Sequence, residues 1–390
     1  MHLDPLLPRL VGSLLFIVVL ALALRRTGTP TIVVYLLAGV ALGPEGFGLL
    51  QDRAMLNRIG EFGVLLLLFF VGMEMSLPRL LQGWRVALGG TVLQVALSVA
   101  AALVIGQLLD WPIGRSVLLG FVMSLSSTAV VVRLLKDRGE TSSPVGQDVL
   151  GVLLAQDLAI VPMLMILGAM AGGSVDLRLL GGQGLVGGAA VLAIIAVRRN
   201  PGLLQRGVDR FSADPELRLF GALLFCLGLA TLTALAGLST ASGAFLAGLL
   251  LSVAGRTEWA HHALDGLRIL LLAIFFAAVG ALLDLDFMME NSGAILLLAA
   301  LAFVTNTVVN TLILRALGRP WDRALRGGAW LSQIGELSFV LAAVGLNSGL
   351  IHEFGHDLTV SVIACTLVFS TAWIGASAPL ERRLAARLEA

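Results

Sequence analysis

Apolar runs follow one another down the whole chain, and they decide what it can become. Cut at charged residues and at glycine and proline punctuation, the sequence yields thirteen candidate spans, at about 9–24, 31–50, 56–77, 86–109, 113–135, 146–172, 179–197, 217–236, 238–254, 267–284, 293–316, 325–347 and 357–378. A helix of roughly 17–25 such residues crosses the hydrocarbon core of a bilayer, so the expected fold class is an all-α polytopic membrane protein. Hydrophobic residues make up 58% of the 390 and charged ones 13%, whereas a soluble globule is about 45–50% apolar. The first run is followed, not preceded, by basic residues (Arg25, Arg26), which marks a first transmembrane helix rather than a cleaved signal. Cys226 and Cys365 fall inside apolar runs, so neither a disulfide framework nor a metal cluster is suggested. The apolar bulk leaves no basic face for nucleic acid.

Alternating the sides of the thirteen spans puts Arg9, Arg53, Arg58, Arg115 and Arg178 on one side and the remaining 21 of the 26 basic residues on the other. Cytoplasmic loops carry the excess of basic charge, so the N-terminus is expected outside and the C-terminus, with Arg382, Arg383 and Arg387, in the cytoplasm. The sequence also repeats itself. Leu37 to Leu42 returns as Leu246 to Leu251, Phe69-Phe70 as Phe275-Phe276, and the polar segment Ser124 to Thr128 as Ser332 to Glu336, all at offsets of 206 to 209. This spacing is seven spans, and an odd number turns the second copy upside down. Inverted repeats of this kind, about 9–172 and 217–378 with 179–197 as linker helix, are the plan of secondary transporters.

Within the sixth span an acid, Asp157, sits near mid-depth, where an unpaired charge costs at least ~3 kcal/mol. A carboxylate there is tolerable when protonated or when paired with a cation, so one group can hold either cargo. The fifth span carries Ser124, Ser126, Ser127 and Thr128, and the twelfth Ser332, Gln333, Gly335, Glu336 and Ser338. Such polar interruptions in matching places suggest discontinuous helices whose freed ends help to hold an ion, although serine and threonine can also merely bend a helix. Glu336 is a second intramembrane acid, read as neutralising backbone donors where the two broken helices cross. Asn306 and Asn310 either line an ion path or join helices. Glu74, which ends the third span, is a solvated helix end or part of that path. Asp148 reads as an interfacial cap or vestibule acid. Asp284, Asp286 and Glu290 read as a solvated outer loop, and His352 and His356 lack the further ligands a metal site needs.

These residues together resemble the membrane domain of the cation:proton antiporter superfamily, most closely its Kef-type potassium/proton branch. The likeness runs through Gly39 to Pro44, Phe62 to Glu74, Ser124 to Ala129, Gln156-Asp157, Gly237 to Gly248, Phe275 to Gly280 and Ser332 to Val340. The resemblance implies a homodimer, with a dimerisation domain and a moving core built around two crossing broken helices. It implies a cation or proton at Asp157, with Gln156, Ser126, Ser127 and Thr128 beside it and Ser332, Gln333 and Glu336 supporting the second broken helix. Gln156 stands where electrogenic relatives have a second acid, and Lys136, outside the spans, is the sole lysine; both features look like the electroneutral class. Gly266 stands where the family's regulatory loop usually has a proline, so gating by glutathione adducts is not expected.

Exchange of a monovalent cation, potassium before sodium, for a proton across a bacterial inner membrane is therefore expected. A cation channel is the rival, though no filter-like loop is present; a transporter of organic anions on the same fold is another. No nucleophile–base pair points to an enzyme, and no cofactor beyond the transported ions is expected. No Gly-x-Gly-x-x-Gly loop follows a strand, so a soluble nucleotide-binding regulatory domain is expected to be absent from these 390 residues.

Overall fold

The structure is a computed structural model that describes residues 6–24, 29, 31–44, 46–49, 53–74, 83–171, 192, 196–197, 199–200, 214–235, 240–254 and 257–388. Among these residues every regular element is a helix: α1 (Leu6–Leu24), α2 (Thr31–Leu42), α3 (Arg53–Glu74), α4 (Trp84–Leu108), α5 (Ile113–Ser124), α6 (Thr128–Asp137), α7 (Pro144–Ala171), α8 (Pro215–Leu235), α9 (Thr240–Val253), α10 (Thr257–Ala281), α11 (Leu285–Glu290), α12 (Ser292–Ala316), α13 (Trp321–Trp330), α14 (Leu337–Asn347) and α15 (Glu353–Leu388). Twelve of the thirteen expected spans match one helix or a broken pair. The expected linker helix at 179–197 and the Arg-rich loop after it lie outside the described residues apart from isolated positions.

By internal packing the chain sorts into two units, one of residues 1–60, 83–156 and 273–390, the other of 61–82 and 157–272. In the first, α12 lies against α13 and α15, α4 against α5, and α14 against both α5 and α15. In the second, α8 packs on α9, and Phe69, Phe70 and Met73 of α3 share a core with Ala222 and Cys226 of α8 and Ala247 and Leu251 of α9. The helices α4, α7 and α12 and the stretch 353–379 of α15 are long and apolar enough to cross a bilayer singly. Leu97, Val104 and Leu108 of α4 and Leu297, Val304 and Leu312 of α12 are exposed. In water such faces would be a liability; against lipid they are the ordinary surface of a spanning helix.

The repeat seen in the sequence is a repeat in the backbone. Helix α4 ends at Leu108 with Leu109 as its C-cap, Asp110 takes the left-handed conformation (φ 51°), and Pro112, extended, is the N-cap of α5. At an offset of 208, α12 ends at Ala316 with Leu317 as its C-cap, Gly318 is left-handed (φ 87°), and Pro320, extended, is the N-cap of α13. Proline suits this place because its fixed φ is helical and its missing N–H would be unbonded anyway in a first turn. The second halves stop alike, with left-handed Gly139 after α6 and left-handed Gly349 after α14, the usual helix-ending use of glycine.

The helix contacts repeat as well. A Cβ on Gly39 (α2) would strike the Ala277 carbonyl of α10, and one on Gly280 (α10) the Leu36 carbonyl of α2. At the equivalent places, a Cβ on Gly248 (α9) would strike the Phe69 carbonyl of α3, and one on Gly72 (α3) the Phe245 carbonyl of α9. The early helix of each repeat thus packs on the following helix of the other, and in both pairs the backbones touch through glycine.

Two expectations need correction. The outer acidic loop is in part a helix, α11, because the Asp284 carboxylate accepts the Phe287 N–H at 2.7 Å and so caps its first turn. The second span, expected to reach residue 50, leaves the helix after Leu42, where Phe47 N–H turns back to the Ala41 carbonyl.

Valine at Gly39 or Gly248 should lower stability by about 1–3 kcal/mol through overpacking. Alanine at Gly168, whose Cβ would meet open space, should be nearly neutral. Thermal unfolding of the detergent-solubilised variants checks both.

Candidate functional site

Helix α5 stops at Ser124 and α6 begins at Thr128, leaving Leu125, Ser126 and Ser127 non-helical and buried. Helix α13 stops at Trp330 and α14 begins at Leu337, leaving a second buried break at 331–336. Each break frees backbone N–H and C=O groups that helices would otherwise pair internally. Buried without partners they would be expensive, and the polar residues picked out in the sequence answer that need.

At the end of α5 the Phe121 carbonyl accepts from Ser124 Oγ (2.8 Å) and the Val122 carbonyl from Ser338 Oγ (2.9 Å). The Leu125 carbonyl accepts from the Gly335 N–H at 2.7 Å. In the second break the Leu331 carbonyl accepts from Ser126 Oγ (2.8 Å), the Ser332 carbonyl from Asn306 Nδ2 (3.2 Å) and the Ala329 carbonyl from Ser332 Oγ (2.7 Å), while the Ile334 N–H donates to Thr366 Oγ1 (3.3 Å). Ser127 caps the start of α6, its hydroxyl oxygen accepting the Val130 N–H at 3.3 Å, and the same hydroxyl donates to the carboxylate of Glu336, the residue before α14. A carboxylate is electrostatically favoured beside helix N-termini. The breaks therefore cross back to back: a Cβ on Gly335 would collide with the Ser126 carbonyl.

Helix α7 passes this crossing. Gln156 Oε1 accepts the Ser126 N–H at 3.0 Å, and its Nε2 lies 3.5 Å from Ser126 Oγ and donates to Gln94 Oε1 at 2.7 Å. Gln156 ends the first unit and Asp157, the next residue on the same continuous helix, begins the second. Asp157 is buried, at 6% exposure.

Of the residues singled out in the sequence, Gln156, Ser126, Ser127, Ser332, Glu336 and Asn306 are thus joined around the crossing, Thr128 opens α6, and Asp157 follows Gln156 directly. Gln333 is fully buried in the second break, and neither its amide oxygen nor its nitrogen has a hydrogen-bond partner among the described residues. Asn306 ties α12 to the Ser332 carbonyl in the second break. Glu74 is the last residue of α3, and its side chain lies outside the described residues. Asp148 forms an ion pair with Arg319 at 2.6 Å, and Glu140 pairs with Arg326. His356 Nδ1 lies 3.0 Å from the neighbouring Asp357 carboxylate, and among the described residues no group of three His, Cys, Asp or Glu side chains is placed to hold a metal. Sequence reasoning missed Gln94. Its signal was a lone amide in the otherwise apolar middle of the fourth span.

Known proteins resemble this chain in sequence and in fold. Residues 12–379 match the family described as sodium/hydrogen exchanger, transmembrane. The chain is 37% identical over 357 residues to an iron transporter, MagA, of Paramagnetospirillum magneticum, covering 90% of this chain and 81% of that protein. It is 31% identical over 369 residues to K(+) efflux antiporter 6 of Arabidopsis thaliana, covering 92% of this chain but 62% of the length of that protein. The solved sodium proton antiporter MjNhaP1 of Methanocaldococcus jannaschii has the same fold, with a TM-score of 0.74 over 96% of this chain and 97% of that one at 17% identity.

Gly335→Ala should push the two breaks apart and cut transport by about 5- to 150-fold, since overpacking at a rigid contact costs about 1–3 kcal/mol. Gly293→Ala, in open space on α12, should leave it unchanged; flux in proteoliposomes with matched protein content reads the difference.

Proposed function

Because the chain belongs to the sodium/hydrogen exchanger family, within the cation:proton antiporter superfamily, we propose that it exchanges a monovalent cation, potassium before sodium, for a proton by alternating access, with Asp157 carrying whichever is bound. The observation that carries this reading is the buried acid placed one residue after Gln156, whose amide is bonded to the first break. If proton and cation compete for one carboxylate, only a loaded carrier crosses, and the two fluxes are coupled. Serine hydroxyls and backbone carbonyls are hard oxygen donors suited to alkali cations. The potassium preference rests on the relative named as a K(+) efflux antiporter. One charge exchanged for one charge makes the cycle electroneutral.

We also place the protein as a homodimer in a bacterial inner membrane, with the N-terminus outside and the C-terminus in the cytoplasm, by the distribution of basic residues and the family resemblance. Iron transport is a second reading, favoured by the name of the relative sharing 37% identity.

Asp157→Asn should abolish alkali-cation-dependent proton movement in proteoliposomes; robust exchange by that variant would refute the assignment. Imposing a membrane voltage under matched ion gradients should not change the rate, and a voltage-driven flux would overturn electroneutrality while leaving exchange intact. Iron(II)-dependent proton flux, with no response to potassium or sodium, would decide for the second reading.

A further inference from the structure

Gln94 is fully buried in α4, and its Nε2 has no hydrogen-bond partner among the described residues, whereas its Oε1 accepts from Gln156 Nε2 at 2.7 Å. It sits on a stripe built to reach α7. A Cβ on Gly151 of α7 would come 3.4 Å from the Ala87 Cβ, one on Gly90 would come 3.3 Å from Val152 Cγ2, and Thr91 Oγ1 donates to the Val152 carbonyl at 3.3 Å. Residues 87, 90, 91 and 94 fall on one face of a helix. The small residues let the two backbones approach, and Gln94 stands a turn further on, opposite Gln156.

The direction of the resulting chain is fixed from one end. A backbone N–H can only donate, so the Ser126 N–H requires an oxygen, and Gln156 must present Oε1 to it. That leaves Nε2 of Gln156 as a donor needing an acceptor, which Gln94 Oε1 supplies. Were either amide reversed, donor would face donor. Ser126 N–H is also the group that a continuous α5 would pair with the Val122 carbonyl, four residues back. Held by Gln156 instead, it leaves that carbonyl to Ser338 Oγ of α14.

We propose that Gln94 is a positioning residue: it locks the Gln156 carboxamide so that Gln156 caps the Ser126 backbone and holds the first break open. Gln156, with Oε1 and Nε2 both engaged, then acts as a strut beside Asp157 instead of a ligand to the ion. The strut itself rests on geometry alone; its consequence for transport rests on the exchange reading above.

Gln94→Met, apolar and similar in volume, removes the acceptor, while Gln94→Glu keeps one. Two measurements separate the strut from the transport reading. Amide hydrogen exchange in the peptide covering residues 121–131, in nanodiscs, should show the protection of the Ser126 amide falling about tenfold in Gln94→Met, as expected for one lost hydrogen bond, and retained in Gln94→Glu. In proteoliposomes the half-saturating potassium concentration should shift about tenfold in Gln94→Met and remain near that of the unmodified protein in Gln94→Glu. Unchanged protection in Gln94→Met overturns the strut. Lost protection with unchanged transport overturns its role in exchange. Lost protection in a protein whose unmodified form moves no protons with any alkali salt supports the strut and refutes the exchange reading instead. Gln94→Ala is read in the same way if the methionine variant does not fold.

Discussion

A helix interrupted inside a membrane has to find partners for its exposed backbone from within the protein, since lipid offers none. Two such interruptions, at 125–127 and 331–336, lie back to back in this protein, and each supplies what the other lacks. Ser338 serves the end of α5, Ser126 the end of α13, and the Gly335 N–H meets the Leu125 carbonyl. The serines are small enough to sit at a backbone crossing, and a hydroxyl can both donate and accept. Glycine at 335 is demanded by contact, because any side chain there would displace the Ser126 carbonyl. Leucine at these serine positions would suit lipid better and leave several buried carbonyls unpaired.

The rest of the first unit follows from holding that crossing in place. Asn306 reaches from α12, Thr366 from α15, and Gln156 from α7, so the long helices around the breaks each contribute a polar side chain to freed backbone groups. Outside the apolar depth the same elements are tied by charge, Asp148 to Arg319 and Glu140 to Arg326. Both pairs join the first repeat to the second. The glycine contacts of α2 with α10 and of α9 with α3 do likewise, so neither repeat is packed by itself.

Much of this was legible in the sequence because the membrane simplifies the code. Apolar length gave the spans, and matching polar interruptions at one offset gave the two breaks and their repetition. Ser126, Ser127, Ser332 and Glu336 could be found because they are polar where lipid permits little polarity. Other features could not be interpreted from their local sequence. Gln94 has no repeat partner and no flanking pattern, and its meaning lies in the 62 residues separating it from Gln156. Nor could the pairing of Asp148 with Arg319 be read from either residue, since both occur at helix ends where charge is ordinary. The acidic segment before α12 looked like a loop because a single cap, Asp284, turns it into a helix too short for any periodicity to show.

The central claim is that one carboxylate accepts a proton or an alkali cation in turn. Purified protein titrated with potassium at a series of pH values measures this without a transport cycle. If the two ions compete for Asp157, apparent potassium affinity falls about tenfold for each unit the pH drops below the acid's own titration, with one proton released per cation bound. Affinity that stays flat across pH, with no proton released, would contradict the account.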